Sequence, residues 1–299
     1  MTSSAPTIGL IGLGLMGEGF AKRLVATGYP VVGYDVVTEK VARAKGLGVA
    51  SAASAAEVAE RADIALMSVT TTDAVSDVVQ GQQGILSVAK PRVRVLVDHS
   101  TTEIDTTREL AAKLDAHGAT LLVDAPVSGG PAAAEAGSLA IMVGGSEAAI
   151  EFIRPVMEKL GRCTHMGAVG AGQATKLVNQ TLVLTNYCVM AEALRLAEAY
   201  GVDAARIPQA LATGHAGSNL LPVLFERMIA RDFTPKGYAR QVLKDLEMLN
   251  TAAKAQHLAM PMSAQALTLF RMLVAQGKSE LDGTAVLTLL PEVTAQSGK

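Results

Sequence analysis

Tryptophan is absent from this 299-residue chain, and five Tyr and five Phe are its whole aromatic complement. Rings on which bases could stack are therefore scarce. No basic tract compensates, since 26 Lys and Arg stand against 28 Asp and Glu for a net charge of -2. The chain offers no nucleic-acid footprint, and it carries no acidic tail. Cysteine is equally sparse. Cys163 and Cys188 lie far apart, without CxxC spacing, and read as free thiols of a reducing compartment. The five histidines (His99, His117, His165, His215 and His257) are scattered, with none at HxxH or HxxxH spacing, so no metal site is expected. Long apolar runs are missing too. The richest, 177–191, is interrupted by Asn179, Gln180, Thr181, Thr185 and Asn186, which makes it too polar and too short to span a bilayer. Residues 8–16 are apolar, but no Lys or Arg precedes them and Gly9, Gly12 and Gly14 cut them, a poor secretion signal. A cytoplasmic protein with no membrane partner is the expectation.

What is present is apolar material for a large core: 49% hydrophobic residues against 18% charged, in a length that suits two domains. Short apolar segments at 7–11, 31–35, 63–69, 94–98, 120–124 and 139–143 read as strands. Amphipathic stretches alternate with them at 15–27, 38–45, 51–62, 103–117 and 146–160. Gly28, Gly46 and Gly118 stand just past three of these, and Ser146 is placed to cap the last. Strand–helix alternation of this kind predicts a parallel, doubly wound sheet. The pattern changes after Gly167. A helical run of about 28 residues covers 173–200, apolar on most sides, and further helices are expected at 204–213, 218–231, 238–256, 262–276 and 284–290, with Asp203 and Asp282 as N-caps. No strand signal returns. The reading is an α/β fold: a doubly wound domain at 1–168, then an all-α domain at 169–299, joined by the long helix.

Gly12-Leu13-Gly14-Leu15-Met16-Gly17 is a GxGxxG. Alone it is a weak signal in a glycine-rich chain, but it follows a strand, opens a helix, and precedes a second strand ending in Asp35. That is the fingerprint of a dinucleotide-binding Rossmann domain. Gly12 makes the tight turn, Gly14 lets a pyrophosphate approach the backbone, and Gly17 lets helix and sheet pack closely. The helix N-terminus faces the phosphates. Asp35 would accept the ribose hydroxyls of NAD and repel a 2′-phosphate; Val36 and Val37 supply no base to offset it, so NADP is the weaker expectation.

Two further motifs are ambiguous on their own residues. Asp124-Ala-Pro-Val-Ser128-Gly129-Gly130 ends a strand. It reads either as an ordinary Pro/Gly turn or as a nest of hydroxyl and backbone N–H groups for a carboxylate. Lys176 and Asn179 sit three apart on the apolar long helix, where a lysine either snorkels to the surface or has a function.

Together the segments 9–17, 124–130, 170–180 (GAGQATKLVNQ) and 243–246 (LKDL) resemble the β-hydroxyacid dehydrogenase family, which includes 3-hydroxyisobutyrate dehydrogenase and tartronate semialdehyde reductase. They come in the family's order and cover nearly the whole chain. The resemblance implies Lys176 as the catalytic acid/base with Asn179 as its companion at the substrate. It implies Ser128, Gly129 and Gly130 as carboxylate holders, with Leu15, Met16, Thr70, Thr101 and Lys244 joining the glycine loop and Asp35 around the cofactor. Without the resemblance Lys244 would read as a solvated helix lysine. The implied partner is a small hydroxy acid or its semialdehyde, and the implied assembly a homodimer or homotetramer. Thr70-Thr71-Thr72 and His99 depart from common family choices. The segment 214–219 (GHAGSN) is reminiscent of the tartronate semialdehyde branch. A 6-phosphogluconate dehydrogenase relative would need a longer helical domain. A non-catalytic nucleotide-binding scaffold is the reading of another class, and it would be expected to lose the Lys–Asn pair that is present here.

Overall fold

The computed structural model describes residues 5–292, in two compact units that divide between Lys176 and Leu177. In the first unit, β1 (Ile8–Ile11), β2 (Val31–Tyr34), β3 (Ala50–Ser51), β4 (Ile64–Met67), β5 (Val95–Asp98) and β6 (Leu121–Asp124) run parallel in the order β3-β2-β1-β4-β5-β6. The sheet is then extended by β7 (Val127–Ser128), β8 (Leu139–Gly144) and β9 (Gly161–Gly167). β8 is antiparallel to β6 and β7, and β9 returns parallel to β8. Intervening helices are α1 (Leu15–Ala26), α2 (Thr38–Gly46), α3 (Ala55–Arg61), α4 (Thr72–Gln80), α5 (Ile104–His117), α6 (Gly130–Ala136) and α7 (Glu147–Leu160).

The central strands read as near-continuous apolar runs because both faces are covered. Alternate residues serve opposite layers. Ile8, Leu10, Ile64, Leu66, Val95 and Val97 pack with Phe20 and Leu24 of α1 and Ile153 and Val156 of α7. Ile11, Ala65, Met67 and Leu96 pack with Val58 of α3, Val75 and Val79 of α4, and Leu110 and Leu114 of α5.

The second unit is helical. It begins within α8 (Ala171–Ala199), which the sequence places at 173–200, and continues through α9 (Ile207–Leu211), α10 (Leu220–Ile229), α11 (Ala239–Ala255) and α12 (Pro261–Ala275). Its core gathers Leu184, Leu194, Phe225, Met228, Leu246 and Phe270. Asp203 and Asp282 accept backbone N–H groups as N-caps, but the last segment, Gly283–Leu289, is a 3₁₀ helix. Among the described residues no helix is long and apolar enough to cross a membrane. Both cysteines are free; burial pushes Cys163 up to about 11 and Cys188 up to about 12.

One local expectation differs from the structure, and two segments without an expectation form regular elements. The Ala-rich stretch 51–62 does not form one helix: Ser51 pairs with Gly33, and Ser54 accepts the Glu57 N–H as N-cap, so α3 starts at Ala55. Residues 72–80 are helical, capped by the Thr71 hydroxyl. Gly161–Gly167 extends the sheet although most of its residues are polar, because one side of it faces solvent.

Candidate active site

Parallel register lines up the carboxyl ends of five strands. Tyr34 pairs with Ile11, Ile11 with Met67, Met67 with Asp98, and Asp98 with Asp124. The loops leaving this edge carry Gly12–Gly17, Asp35, Thr70, Thr101 and Ser128–Gly130. The strand order reverses between β1 and β4, with β2 and β3 laid to one side and β5 and β6 to the other, the place where an open α/β sheet opens a crevice for ligand.

The glycine loop has the geometry its sequence predicts. Gly12 turns at φ +90°, and a side chain there would drive into the Ser68 carbonyl. A Cβ on Gly17 would lie 2.0 Å from the Gly12 carbonyl oxygen, so helix and turn touch through this residue. A Cβ on Gly14 would meet nothing within 4 Å among the described residues. The loop is thus closed on its protein side and open where a pyrophosphate would approach the start of α1, with Leu15 exposed and Met16 half-buried there. Asp35 accepts the Leu13 N–H and the Val37 N–H, both at 2.8 Å. The sequence reading of Asp35 as a carboxylate without a base needs correction. Lys40, one turn into α2, brings Nζ to 3.4 Å of the carboxylate, a cation that inspection of positions 36 and 37 alone misses.

Behind the loops lies a buried polar network. Asp98 accepts the Ser100 N–H and the Thr102 hydroxyl, each at 2.8 Å. Asp124 accepts the N–H groups of Gly170 and Gln173, also at 2.8 Å, and so caps α8. Gln173 spans the gap: its amide donates to the Ser100 carbonyl at 2.9 Å and accepts the Thr102 N–H at 3.1 Å. Thr101 is therefore held in a loop clamped from both sides, and the Ser100 hydroxyl receives the Val69 N–H next to Thr70. Burial raises Asp98 to about 6, opposed by its Ser100 and Thr102 bonds, and it raises Asp124 against the α8 N–H groups. His99 is buried beside Phe20 with Nδ1 on the Ala125 carbonyl at 2.6 Å; burial pushes it down to about 4, so the ring is neutral.

One turn beyond Gln173, Lys176 is 8% exposed, and its ammonium donates to the Val127 carbonyl at 2.7 Å. The snorkelling alternative is thereby set aside: the side chain lies against the loop that carries Ser128. Gly129 and Gly130 both adopt positive φ (131° and 73°), conformations that side chains disfavour, and they lead into α6. In the second unit Asn179 donates to Gln180 at 2.9 Å, Gln180 donates to Asp245, and Asp245 takes Lys244 at 2.9 Å. Ser218 caps α10 by accepting the Leu221 N–H. Gln173, Gln180, Asp245 and Lys40 were missed as site-supporting residues. For two of them a signal exists: Gln173, Lys176 and Gln180 form an i, i+3, i+7 polar stripe along one face of α8.

Two family models cover this architecture. The one described as the NAD binding domain of 6-phosphogluconate dehydrogenase matches residues 7–212. The one described as NAD-binding of NADP-dependent 3-hydroxyisobutyrate dehydrogenase matches 170–290. The 2-hydroxy-3-oxopropionate reductase of Escherichia coli K12 is 37% identical over 95% of this chain and 96% of its own length. The chain belongs to the β-hydroxyacid dehydrogenase family. It shares a fold with solved family members. The 3-hydroxyisobutyrate dehydrogenase of Salmonella typhimurium aligns with a TM-score of 0.84 at 27% identity. That of Mycobacterium tuberculosis, solved with L-serine, aligns with a TM-score of 0.80 at 30% identity. Each alignment covers 95% of this chain and 99% of the other. As a β-hydroxyacid dehydrogenase, the protein is an NAD(P)-dependent oxidoreductase acting on CH–OH donors.

Proposed function

We propose that this dehydrogenase interconverts a small β-hydroxy acid, 3-hydroxyisobutyrate-like in size, and its semialdehyde, with Lys176 moving the proton and NAD preferred over NADP. The observation that carries the reading is the buried Lys176 ammonium held on the Val127 carbonyl, beside Ser128. The Ser128 hydroxyl and the N–H groups of Gly129 and Gly130 receive the substrate carboxylate. The nicotinamide, when bound, supplies the carbon that accepts or gives the hydride. In oxidation the Lys176 amine takes the substrate's hydroxyl proton, and in reduction its ammonium returns one. The Val127 carbonyl accepts an N–H in either state and so keeps Nζ in one place. Asn179, one turn along α8, meets the reacting end of the substrate. Thr70, Thr101 and Lys244 bind the cofactor with Gly12, Gly14, Leu15, Met16, Gly17 and Asp35.

Asp35 supports NAD because its two anchored oxygens still have lone pairs for ribose hydroxyls, while a 2′-phosphate would face a carboxylate. Lys40 moderates that repulsion without removing it. The exposed stripe Val178, Leu182, Val189, Leu196 and Tyr200 on α8 supports the homodimer or homotetramer. The E. coli relative favours a second substrate reading, reduction of 2-hydroxy-3-oxopropionate, which shares the carboxylate and the reacting carbonyl.

Single-turnover hydride transfer at saturating NAD tests the assignment, with a panel of β-hydroxy acids and semialdehydes. Lys176→Ala is expected to lower kcat by roughly 10²–10⁴ with cofactor affinity intact. Lys176→Arg fails alike, because guanidinium keeps its proton. Turnover of Lys176→Ala within about threefold of wild type, against that 10²–10⁴ range, moves the proton to another group.

A further inference from the structure

The first turn of α8 is fastened to the sheet by backbone on one side and by a side chain on the other. A Cβ on Gly172 would come within 2.5 Å of the Met142 carbonyl oxygen and 2.6 Å of that of Asp124, so the turn lies directly on β8 and β6. The tie to the loop after β5 is Gln173, which is 1% exposed. Its amide NH₂ donates to the Ser100 carbonyl at 2.9 Å, and its oxygen accepts the Thr102 N–H at 3.1 Å. One partner only accepts and the other only donates, so the amide has a single orientation. These two backbone groups belong to the peptide units that flank Thr101. One side chain thus stands in for a neighbouring strand and fixes the backbone on either side of Thr101. One turn along the same helix, Lys176 rests on the Val127 carbonyl.

We propose that Gln173 is a positioning residue: it ties the loop that carries Thr101 to the helical turn that carries Lys176, and so holds the cofactor's reacting end and the proton-transferring amine in one relation. The proposal rests on the reading that Lys176 moves the proton and Thr101 meets the cofactor. Topology says which part of the cofactor is concerned. Asp35 leaves β2 and Thr101 leaves β5, on opposite sides of the point where the strand order reverses. A dinucleotide laid across that point with one ribose at Asp35 has its nicotinamide half on the Thr101 side. Hydride and proton move in one reaction, and small misplacements of reacting groups slow it steeply. A tie between the two loops that present those groups therefore acts on rate more than on binding.

The test uses the full-length protein and two nucleotides, NADH and ADP-ribose, the second lacking the nicotinamide. Gln173→Met keeps the reach of the side chain and removes both hydrogen bonds. In binding without turnover, ADP-ribose affinity stays at its wild-type value. The extra affinity that the nicotinamide gives NADH falls by about three- to tenfold, the size of a hydrogen-bond loss. With both substrates saturating, single-turnover hydride transfer per NADH-binding site slows by about 10- to 100-fold. A glutamine that merely filled the core would lower the melting temperature and leave both quantities unchanged in the sites that remain folded. Gln173→Glu keeps the test decisive if Gln173→Met does not fold. When protonated, the introduced carboxyl group reproduces the amide, its O–H donating to the Ser100 carbonyl and its other oxygen accepting the Thr102 N–H. When charged, it opposes that carbonyl. Around it stand Asp98, bonded to the Thr102 hydroxyl, His99 beside Asp98, Asp124, bonded to the N–H of residue 173, Arg108 of α5 beside Gly170, and Lys176 on α8. Taking the ratio to wild type at each pH removes the titration of those groups. The ratio of hydride-transfer rates and that of nicotinamide affinities recover as pH falls and fade as it rises. A flat ratio in Gln173→Glu, or wild-type values of both quantities in Gln173→Met, overturns the proposal and leaves the Lys176 and Thr101 readings standing. Turnover of Lys176→Ala within about threefold of wild type, or NADH binding no tighter than ADP-ribose in wild type, overturns the underlying reading instead.

Discussion

Three strands of the sheet lead into an aspartate at the same edge, and the three carboxylates serve different ends. Asp35 after β2 is half-buried, holds the glycine loop through Leu13, and keeps Lys40 within reach. Asp98 and Asp124, ending β5 and β6, are buried and satisfied from inside the protein. Position at the carboxyl end of a parallel strand therefore does not make an aspartate a ligand group. What separates them is where the partners come from. Asp98 and Asp124 spend their lone pairs on loop and helix N–H and hydroxyl groups. Asp35 leaves capacity facing outward. The inner pair positions the loops, and in the function proposed above the outer one meets what the loops bind.

Removing each side chain should separate these roles most widely at Asp124. Asp124→Ala strands the Gly170 and Gln173 N–H groups in a buried place, and each such orphan costs about 1–3 kcal/mol. The first unit should melt roughly 5–15 °C lower, and kcat should fall with it, because α8 carries Lys176. Asp35→Ala should cost less, about 1 kcal/mol, since only its bond to Leu13 is shielded while the Val37 N–H stays open to water, and should instead narrow the NAD preference. Thermal melts of the two variants side by side check this. Equal losses would show that the two carboxylates are not different in kind.

Asp98 offers a subtler test, because the neighbouring His99 masks it. Burial raises Asp98 from 3.8 to about 6, so its contribution is fully present below pH 3.8 and is lost as pH rises through about 6. Burial lowers His99 from 6.5 to about 4, so its contribution is present above pH 6.5 and is lost as pH falls through about 4. Between those limits the unfolded chain holds its proton on the imidazole and the folded chain holds it on the carboxyl. The two slopes cancel, each amounting to about 3 kcal/mol. His99→Leu removes one of them. Relative to wild type, the variant should lose about 3 kcal/mol of unfolding free energy between pH 4 and 6.5, read by urea titration at several pH values. A wild-type-minus-variant difference that is flat with pH would show that the buried pair does not titrate in this way.

The parts of this site legible in sequence are those whose chemistry is local. Gly12, Gly14 and Gly17 are spaced by the turn they make, and the α8 helix announces itself by an apolar run that Lys176 and Asn179 interrupt. The parallel, doubly wound sheet follows from alternation; the short strands β3 and β7, the edge strand β9 and the antiparallel direction of β8 escaped, because nothing local fixes their pairing. The unread residues act over distance in the chain. Gln173 bonds residues 71 and 73 positions away, Asp124 caps a helix 46 residues later, and Gln180 meets Asp245 across 65. Composition cannot announce such pairs, since each partner taken alone is an unremarkable polar side chain.

Lys40 belongs to the same class of unread residue, at shorter range, and it carries the smallest effect. It follows Asp35 by five positions, close enough to have been considered, yet it is brought onto the carboxylate only because α2 begins at Thr38 and turns it back. Its Nζ, 3.4 Å from Asp35 and about one-third exposed, interacts through partly screened solvent. A surface pair of this kind contributes about 0–1 kcal/mol, so its removal should change coenzyme preference by a few-fold at most. The direction is what matters. With Asp35 at the ribose as proposed, the ammonium 3.4 Å from it would offset part of the repulsion of a 2′-phosphate. Lys40→Ala should therefore widen the NAD preference beyond its wild-type value, whereas Asp35→Ala narrows it by leaving the cation alone to attract phosphate. Ratios of kcat/KM for NAD and NADP in the two single variants and the double variant decide the matter. Rising salt should shrink the Lys40 effect, because exposed charge pairs are screened. A narrowing in Lys40→Ala would mean that this lysine serves the ribose of NAD rather than the phosphate of NADP, and the division between inward and outward aspartates would then need a different outer partner.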